Sequence, residues 1–134
     1  MAAYGTRTML NCTVEKAWEL VTTLETQMDW REDLKEIEIL DSRQFIEHTR
    51  DGYITHYTLV KVEERKLWQR TLTNEDMVGQ TLYTFVEKGN QTLFTMKENM
   101  STSKLLFKIF VKNYLRSHQY NYIQNLKKAI GQET

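Results

Sequence analysis

Four side chains are placed so that folding could gather them for acid–base or anion-stabilising chemistry: Arg70, Glu98, His118 and His48. A carboxyl and an imidazole can exchange a proton with a substrate, and a guanidinium can hold a developing oxyanion. None sits in a local catalytic motif. A lone charge turned toward an apolar interior is costly. Arg70 and Glu98 therefore stand as a buried pair, a ligand clamp, or two rim residues in water. His118 reads as a satisfied core or rim histidine rather than a base. Glu47 and His56 read as a solvated cross-strand pair, worth little energetically. Cys12, the single cysteine, has no sequence-local base and is not read as a nucleophile. His48, His56 and His118 lack helical ligand spacing and cysteine partners, so no metal site is expected. No Gly-rich phosphate loop follows a strand, so no nucleotide cofactor is expected either.

These groups must be carried by strands and one long helix. β-branched and aromatic runs predict strands over Thr6–Asn11, Glu36–Leu40, Phe45–Thr49, Tyr53–Val60, Leu67–Thr73, Gln80–Glu87 and Thr92–Met100. Thr13 is a plausible N-cap for a short helix through Val14, Ala17, Trp18 and Val21, and a further helical stretch is expected over Thr26–Leu34. An uninterrupted helical pattern runs from about Lys104 to Ile130, a span of about 40 Å. Its sheet-facing stripe is Phe107, Val111, Leu115, Tyr122, Leu126 and Ala129, with Tyr114 and His118 along the edge.

Turn chemistry sets the faces. Asp51-Gly52, read as a two-residue hairpin loop, pairs Arg50 with Tyr53, His48 with Thr55 and Ile46 with Tyr57, and sets Glu47 against His56. Gly89-Asn90 pairs Phe85 with Phe94, Tyr83 with Met96 and Thr81 with Glu98. A turn centred on Glu64-Arg65 places Trp68, Arg70 and Leu72 on the face of Tyr57 and Leu59. A one-residue slip would invert each assignment.

Composition narrows the classes. The 134 residues are enough for one domain with a real core. Eighteen basic residues balance 18 acidic ones, so no global field draws the chain to nucleic acid, and none is expected as a partner. The single cysteine, a first stretch unlike a signal peptide and the lack of an apolar run near about 18 residues together suggest a cytoplasmic protein with no membrane span.

The order of elements and several short segments resemble the START-related SRPBCC superfamily, which includes polyketide cyclase/dehydrase-like proteins and the birch-pollen-allergen fold. The resemblance is carried by Val14-Glu15-Lys16-Ala17-Trp18-Glu19-Leu20 and by the stretch from Met28-Asp29-Trp30-Arg31 to Glu36-Ile37. It continues through Asp51-Gly52, Gly79, the Thr92–Glu98 strand and Tyr122-Ile123-Gln124-Asn125-Leu126-Lys127-Lys128. It implies an α+β helix-grip fold: a curved seven-stranded antiparallel sheet around a long C-terminal helix, two short helices after strand 1, and a cavity for lipids, sterols or polyketides. The chain departs from the family in having Cys12-Thr13 where a proline often precedes the first helix.

Within that fold the expected lining is Tyr57, Leu59, Trp68, Arg70, Leu72, Tyr83, Phe85, Phe94, Met96 and Glu98 from the sheet. Phe107, Val111, Tyr114, His118 and Tyr122 roof it from the helix. The same residues could equally make a solid core. The expected partner is a small apolar molecule, bound or transported without cofactor or metal. The rivals are a cyclase or dehydratase in the same cavity, and an interaction module or chaperone co-activator. For the last, Leu105, Leu106, Ile109 and Phe110 lie off the sheet-facing stripe, beside Lys104, Lys108, Lys112 and Arg116. They are expected to form the cavity mouth or a homodimer contact, unless Trp30–Leu34 covers them.

Overall fold

Alternating side chains and short turns make most of this chain into neighbouring antiparallel strands. The structure, a computed structural model, describes residues 1–132. Strand β1 (Ala2–Leu10) leads to helix α1 (Val14–Thr22) and a 3₁₀ helix (Leu24–Asp29). Six strands follow: β2 (Leu34–Ile39), β3 (Gln44–Thr49), β4 (Ile54–Glu63), β5 (Leu67–Thr73), β6 (Val78–Lys88) and β7 (Gln91–Ser101). Helix α2 (Leu105–Ala129) comes last. The sheet order is β1-β7-β6-β5-β4-β3-β2, antiparallel throughout, and α2 lies against β1 and β7. This is the helix-grip arrangement.

Local chemistry explains the ends of α1. Thr13 Oγ1 accepts from Lys16 N at 3.3 Å, and Gln27 Nε2 donates to the carbonyls of Leu20 and Thr23, both at 2.9 Å. Gln27 is itself buried. The expected helix over Thr26–Leu34 is instead the shorter 3₁₀ element, because Leu34 is already extended opposite Thr49. Strand β1 begins at Ala2, earlier than Thr6, through its pairing from Ala2 opposite Met100 to Leu10 opposite Thr92.

Two hairpins keep the expected faces and one does not. Across Gly89-Asn90, with Gly89 at φ +65°, Phe85 faces Phe94, Tyr83 faces Met96 and Thr81 faces Glu98. Between β4 and β5, Glu63 pairs with Leu67, so the loop has an odd length. A bulge between Leu59 and Lys61 cancels that step, and Leu59 meets Arg70 and Tyr57 meets Leu72 as expected.

At Asp51-Gly52 nothing cancels the step. Thr49 N donates to Tyr53 O at 2.9 Å and Gly52 N to Thr49 O at 3.0 Å, enclosing a three-residue loop. Of its residues Gly52 alone has positive φ, at +97°. A type I turn followed by a left-handed glycine therefore replaces the two-residue turn. Phe45 pairs with Tyr57, Ile46 with His56 and Glu47 with Thr55. Phe45 and Glu47 turn inward and are buried, while His48 moves to the outer face. The surface pairing of Glu47 with His56 and the inward placement of His48 are thus both corrected by one residue of loop length.

The core lies between the sheet's concave face, α1 and α2. Phe45, Phe94, Met96, Leu10 and Leu126 are fully enclosed. Along α2 the buried positions are Val111, Leu115, Gln119, Tyr122, Ile123 and Leu126. Ala129, expected on the stripe, is exposed.

Candidate functional site

The interior between sheet and α2 is more polar than the sequence suggests. Arg31, just beyond the 3₁₀ helix, reaches under α2 to Glu47 on β3 with Nη1 to Oε2 at 2.7 Å and Nη2 to Oε1 at 3.2 Å. The same guanidinium donates to both Asp33 oxygens, at 2.8 and 3.2 Å, and lies 5.2 Å from the Tyr122 ring centre. Burial works against the Arg31 charge, but Glu47 and Asp33 outweigh it and hold the guanidinium well above its ordinary pKa. Burial likewise pushes the Asp33 carboxyl up. The charge and hydrogen bonds of Arg31 more than reverse this and leave it below the usual carboxylate range.

Arg70 is held differently. Its guanidinium carbon sits 4.5 Å from the ring centres of Tyr57 and Trp68 and 4.7 Å from that of Tyr83. Its Nε–H donates to Thr81 Oγ1 at 3.0 Å. Among the described residues no carboxylate lies within 4.0 Å of it, so Arg70 and Glu98 are not an ion pair. The aromatic faces supply the stabilisation that a carboxylate otherwise would. Burial, partly offset by the Arg70 charge, pushes the Tyr83 hydroxyl up to about 12.

Glu98 turns instead to α2. It accepts from Gln119 Nε2 at 3.1 Å, and that amide also donates to Tyr4 O at 2.9 Å. Thr6 Oγ1 donates to Gln119 Oε1 at 2.6 Å. One buried amide thus ties the helix to both β1 and β7.

Free space that reaches the packed centre lies beside Tyr114 and His118. A void of about 20 Å³, room for about one water molecule, is lined by Glu47, Tyr57, Leu72, Glu98, Tyr114 and His118, among others. Outside it lies a recess of about 370 Å³ between the Glu32-Asp33 segment, the Thr49–Asp51 loop and the α2 residues Tyr114, Ser117, His118, Asn121 and Tyr122. Void and recess share Thr49, Tyr114 and His118 as walls. Two larger depressions, about 550 Å³ beside Trp30 and Lys128 and about 620 Å³ between Val14 and Glu87, share no residue with the void.

Tyr114 is the partition. It stacks on His118 with centroids 6.0 Å apart and meets Tyr53 and Phe107 edge-on or tilted, each at 5.9 Å. Burial drives its hydroxyl pKa upward, so it stays neutral. Tyr53 donates to Asp76 Oδ2 at 2.6 Å, and Asp76 also pairs with Lys104 at the start of α2. That bridge latches the end of the helix to the β3–β4 and β5–β6 loops.

The expected lining residues divide accordingly. Tyr114, His118 and Tyr122 line the recess, and Tyr57, Leu72 and Glu98 line the void with Tyr114 and His118. Trp68, Arg70, Tyr83, Phe85, Phe94, Met96 and Val111 are buried in the packed core, and Leu59 and Phe107 are half-buried at its edge. Sequence reading missed Arg31, Asp33, Glu47, Phe45 and Gln119. The slipped hairpin hid Phe45 and Glu47. Arg31 and Asp33 lie in an irregular segment with no periodicity to orient them, while Gln119 sits one turn after Leu115 and could have been found by extending the stripe.

On the outer face the register brings Glu36 opposite His48, with Glu38 diagonal. His48 Nε2 lies 2.7 Å from Glu38 and 3.5 Å from Glu36, and the three ligand-capable atoms fall within 4.8 Å of one another. The cluster is largely solvent-exposed and lies on the outer face of the sheet, turned away from the core.

The family model described as "Polyketide cyclase / dehydrase and lipid transport" matches residues 1–131. A comparison with curated proteins finds no match. Among solved structures, a START superfamily protein from Mycobacterium smegmatis superposes with TM-score 0.89 at 12% identity, over 96% of this chain and 97% of that one. The protein XoxI from Bacillus cereus gives TM-score 0.84 at 13% identity, over 96% and 95% of the two chains. The Zhui aromatase/cyclase from Streptomyces sp. R1128 gives TM-score 0.84 at 8% identity, over 96% and 92%. At these identities the superpositions establish the fold, and the family match extends over nearly the whole sequence: the chain belongs to the polyketide cyclase/dehydrase and lipid transport family, with a START-like helix-grip fold.

Proposed function

We propose that this protein binds a small apolar molecule in the recess beside Tyr114, with the inner void receiving its leading end. The observation that carries the reading is the shared wall: Tyr114 and His118 line both the outer recess and the void over the aromatic face of the sheet. The recess is at the lower end of the size range of small-molecule sites. The void is far smaller, so deeper entry requires Tyr114 to swing away from His118 and Phe107. A carrier role suits this arrangement, since the deeper aromatic residues are engaged with one another and with Arg70.

Native mass spectrometry of protein purified from its own cell should reveal a co-purifying apolar molecule. Independently, the fluorescent probe 1-anilinonaphthalene-8-sulfonate should bind the folded protein. Ser117→Trp, at an exposed position on the mouth, should weaken that binding at least tenfold without lowering the melting temperature. Unchanged probe affinity in a folded Ser117→Trp protein would place binding elsewhere and end this reading.

A second reading is favoured by one observation, that Glu47, Glu98 and His118 line the same void. Two carboxyls and an imidazole around one space could serve acid–base cyclisation or dehydration. Glu98→Gln should then retain probe affinity while abolishing turnover of a poly-β-keto thioester. No turnover by the wild-type protein leaves the carrier.

A further inference from the structure

Helix α2 carries Lys108, Lys112, Arg116, Lys127 and Lys128 and no acidic residue, although the whole chain is formally neutral. At its N-terminal end Leu105, Leu106, Ile109 and Phe110 are 75%, 74%, 65% and 57% exposed. Advancing 100° per residue, they sit on the side of the helix away from Val111 and Leu115, which face the sheet. The Trp30–Leu34 segment does not cover them. Lys108 and Lys112, exposed and without an ionic partner among the described residues, flank the patch on one side. On the other side Phe110 leads at helical spacing to Tyr114 and Ser117, which line the recess.

We infer that the N-terminal half of α2 docks on an anionic lipid bilayer. Leu105, Leu106, Ile109 and Phe110 enter the interface, and Lys108 and Lys112 meet the headgroups. A basic flank beside exposed apolar side chains on a helix without acidic residues is the combination such a surface attracts. A second copy of this chain is a poorer occupant. Two such helices packed antiparallel would set their lysine rows on the same side of the seam, with no carboxylate on either helix to offset them. Docked this way, the recess opens on the same flank as the inserted Phe110, within reach of the headgroup layer. The inference rests on the ligand-binding reading only for what passes through that mouth, and it names the bilayer as the source or destination of the ligand.

Vesicle co-sedimentation tests it with ligand-free protein. Vesicles of 30% phosphatidylserine in phosphatidylcholine should bind at least tenfold more protein than phosphatidylcholine alone, and 0.5 M salt should remove most of the difference because it screens the headgroup charge. Lys108→Glu with Lys112→Glu, both at exposed positions, should abolish the anionic preference while the melting temperature holds. Leu106→Glu with Phe110→Glu should lose binding to both vesicle types. Absence of vesicle binding, equal binding to neutral and anionic vesicles, or full binding by the folded lysine variant would each overturn the inference. So would sedimentation velocity showing a dimer that Leu106→Glu with Phe110→Glu dissociates. The anilinonaphthalene probe, measured without vesicles, separates the two claims. Probe binding without docking removes the bilayer alone, and docking without probe binding removes the ligand pocket alone.

Discussion

Arg31 and Glu47 meet in a two-point ion pair at 2.7 and 3.2 Å, with both side chains only 4% exposed, and so bolt the segment before β2 to the inner face of β3. Removing one member of a buried pair leaves the other charge stranded. Arg31→Met should therefore destabilise the protein by about 3–5 kcal/mol in urea unfolding. The double variant Arg31→Met with Glu47→Leu should recover much of that loss. Equal costs for single and double variants would mean that the pair is hydrated and contributes little.

Asp33 shares the same guanidinium, and its depressed pKa links stability to pH. Its contribution is complete above the ordinary carboxylate value near 3.9 and is lost as pH falls through the lower folded value. Thermal melts from pH 6 to pH 2 should show wild type losing stability at the acid end. Asp33→Asn should be less stable at neutral pH and show a shallower acid limb. Parallel curves would exclude Asp33 as a source of the pH dependence.

The hairpin register can be read by paired truncations on β3. Phe45 is fully buried and stacks on Tyr57 with centroids 5.0 Å apart, whereas Ile46 points outward and is half-buried. Phe45→Ala should cost about 3–5 kcal/mol. Ile46→Ala should cost clearly less in the same denaturant series. The reverse order would restore the two-residue turn.

Gly79 lies within β6, where a Cβ would sit 2.1 Å from the Asn99 carbonyl oxygen and 2.7 Å from Met100 Sδ. Backbone cannot yield as a side-chain tip can, so Gly79→Ala should cost about 1–3 kcal/mol or more, as overpacking does. Gly89→Asn, in an open turn, serves as the comparison and should be milder. A neutral Gly79→Ala would show that β6 and β7 can part locally.

Gln119 ties α2 to two strands through one amide, and Gln119→Leu would leave Tyr4 O, Thr6 Oγ1 and Glu98 short of partners. Each buried unsatisfied group costs about 1–3 kcal/mol. The expected sign in hydrogen exchange is faster exchange along β1 relative to β5. Unchanged protection there would assign the attachment of α2 to its apolar contacts alone.

Much of this molecule was written in local sequence. The limits of α2, the Thr13 cap and the Gly89-Asn90 hairpin follow from short-range sterics and hydrogen bonding, which need no distant partner. The inward row Tyr57, Trp68, Arg70, Leu72, Tyr83, Phe94 and Met96 follows from strand alternation. What only tertiary structure decided were quantities of one residue and one contact. Asp51-Gly52 admits loops of two or three residues, and burial of Phe45 rather than Ile46 selected the longer. The odd loop at β4–β5 was harmless because the bulge before Lys61 absorbed it. Charges were the least legible. Whether Arg70 met Glu98, and whether Glu47 faced water, depended on partners far along the chain: Thr81 and four aromatic rings for one, Arg31 for the other. Packing volume was equally hidden, since the side chains that could line a broad cavity fill most of it, leaving the recess at the Tyr114 rim to the mutual fit of sheet and helix.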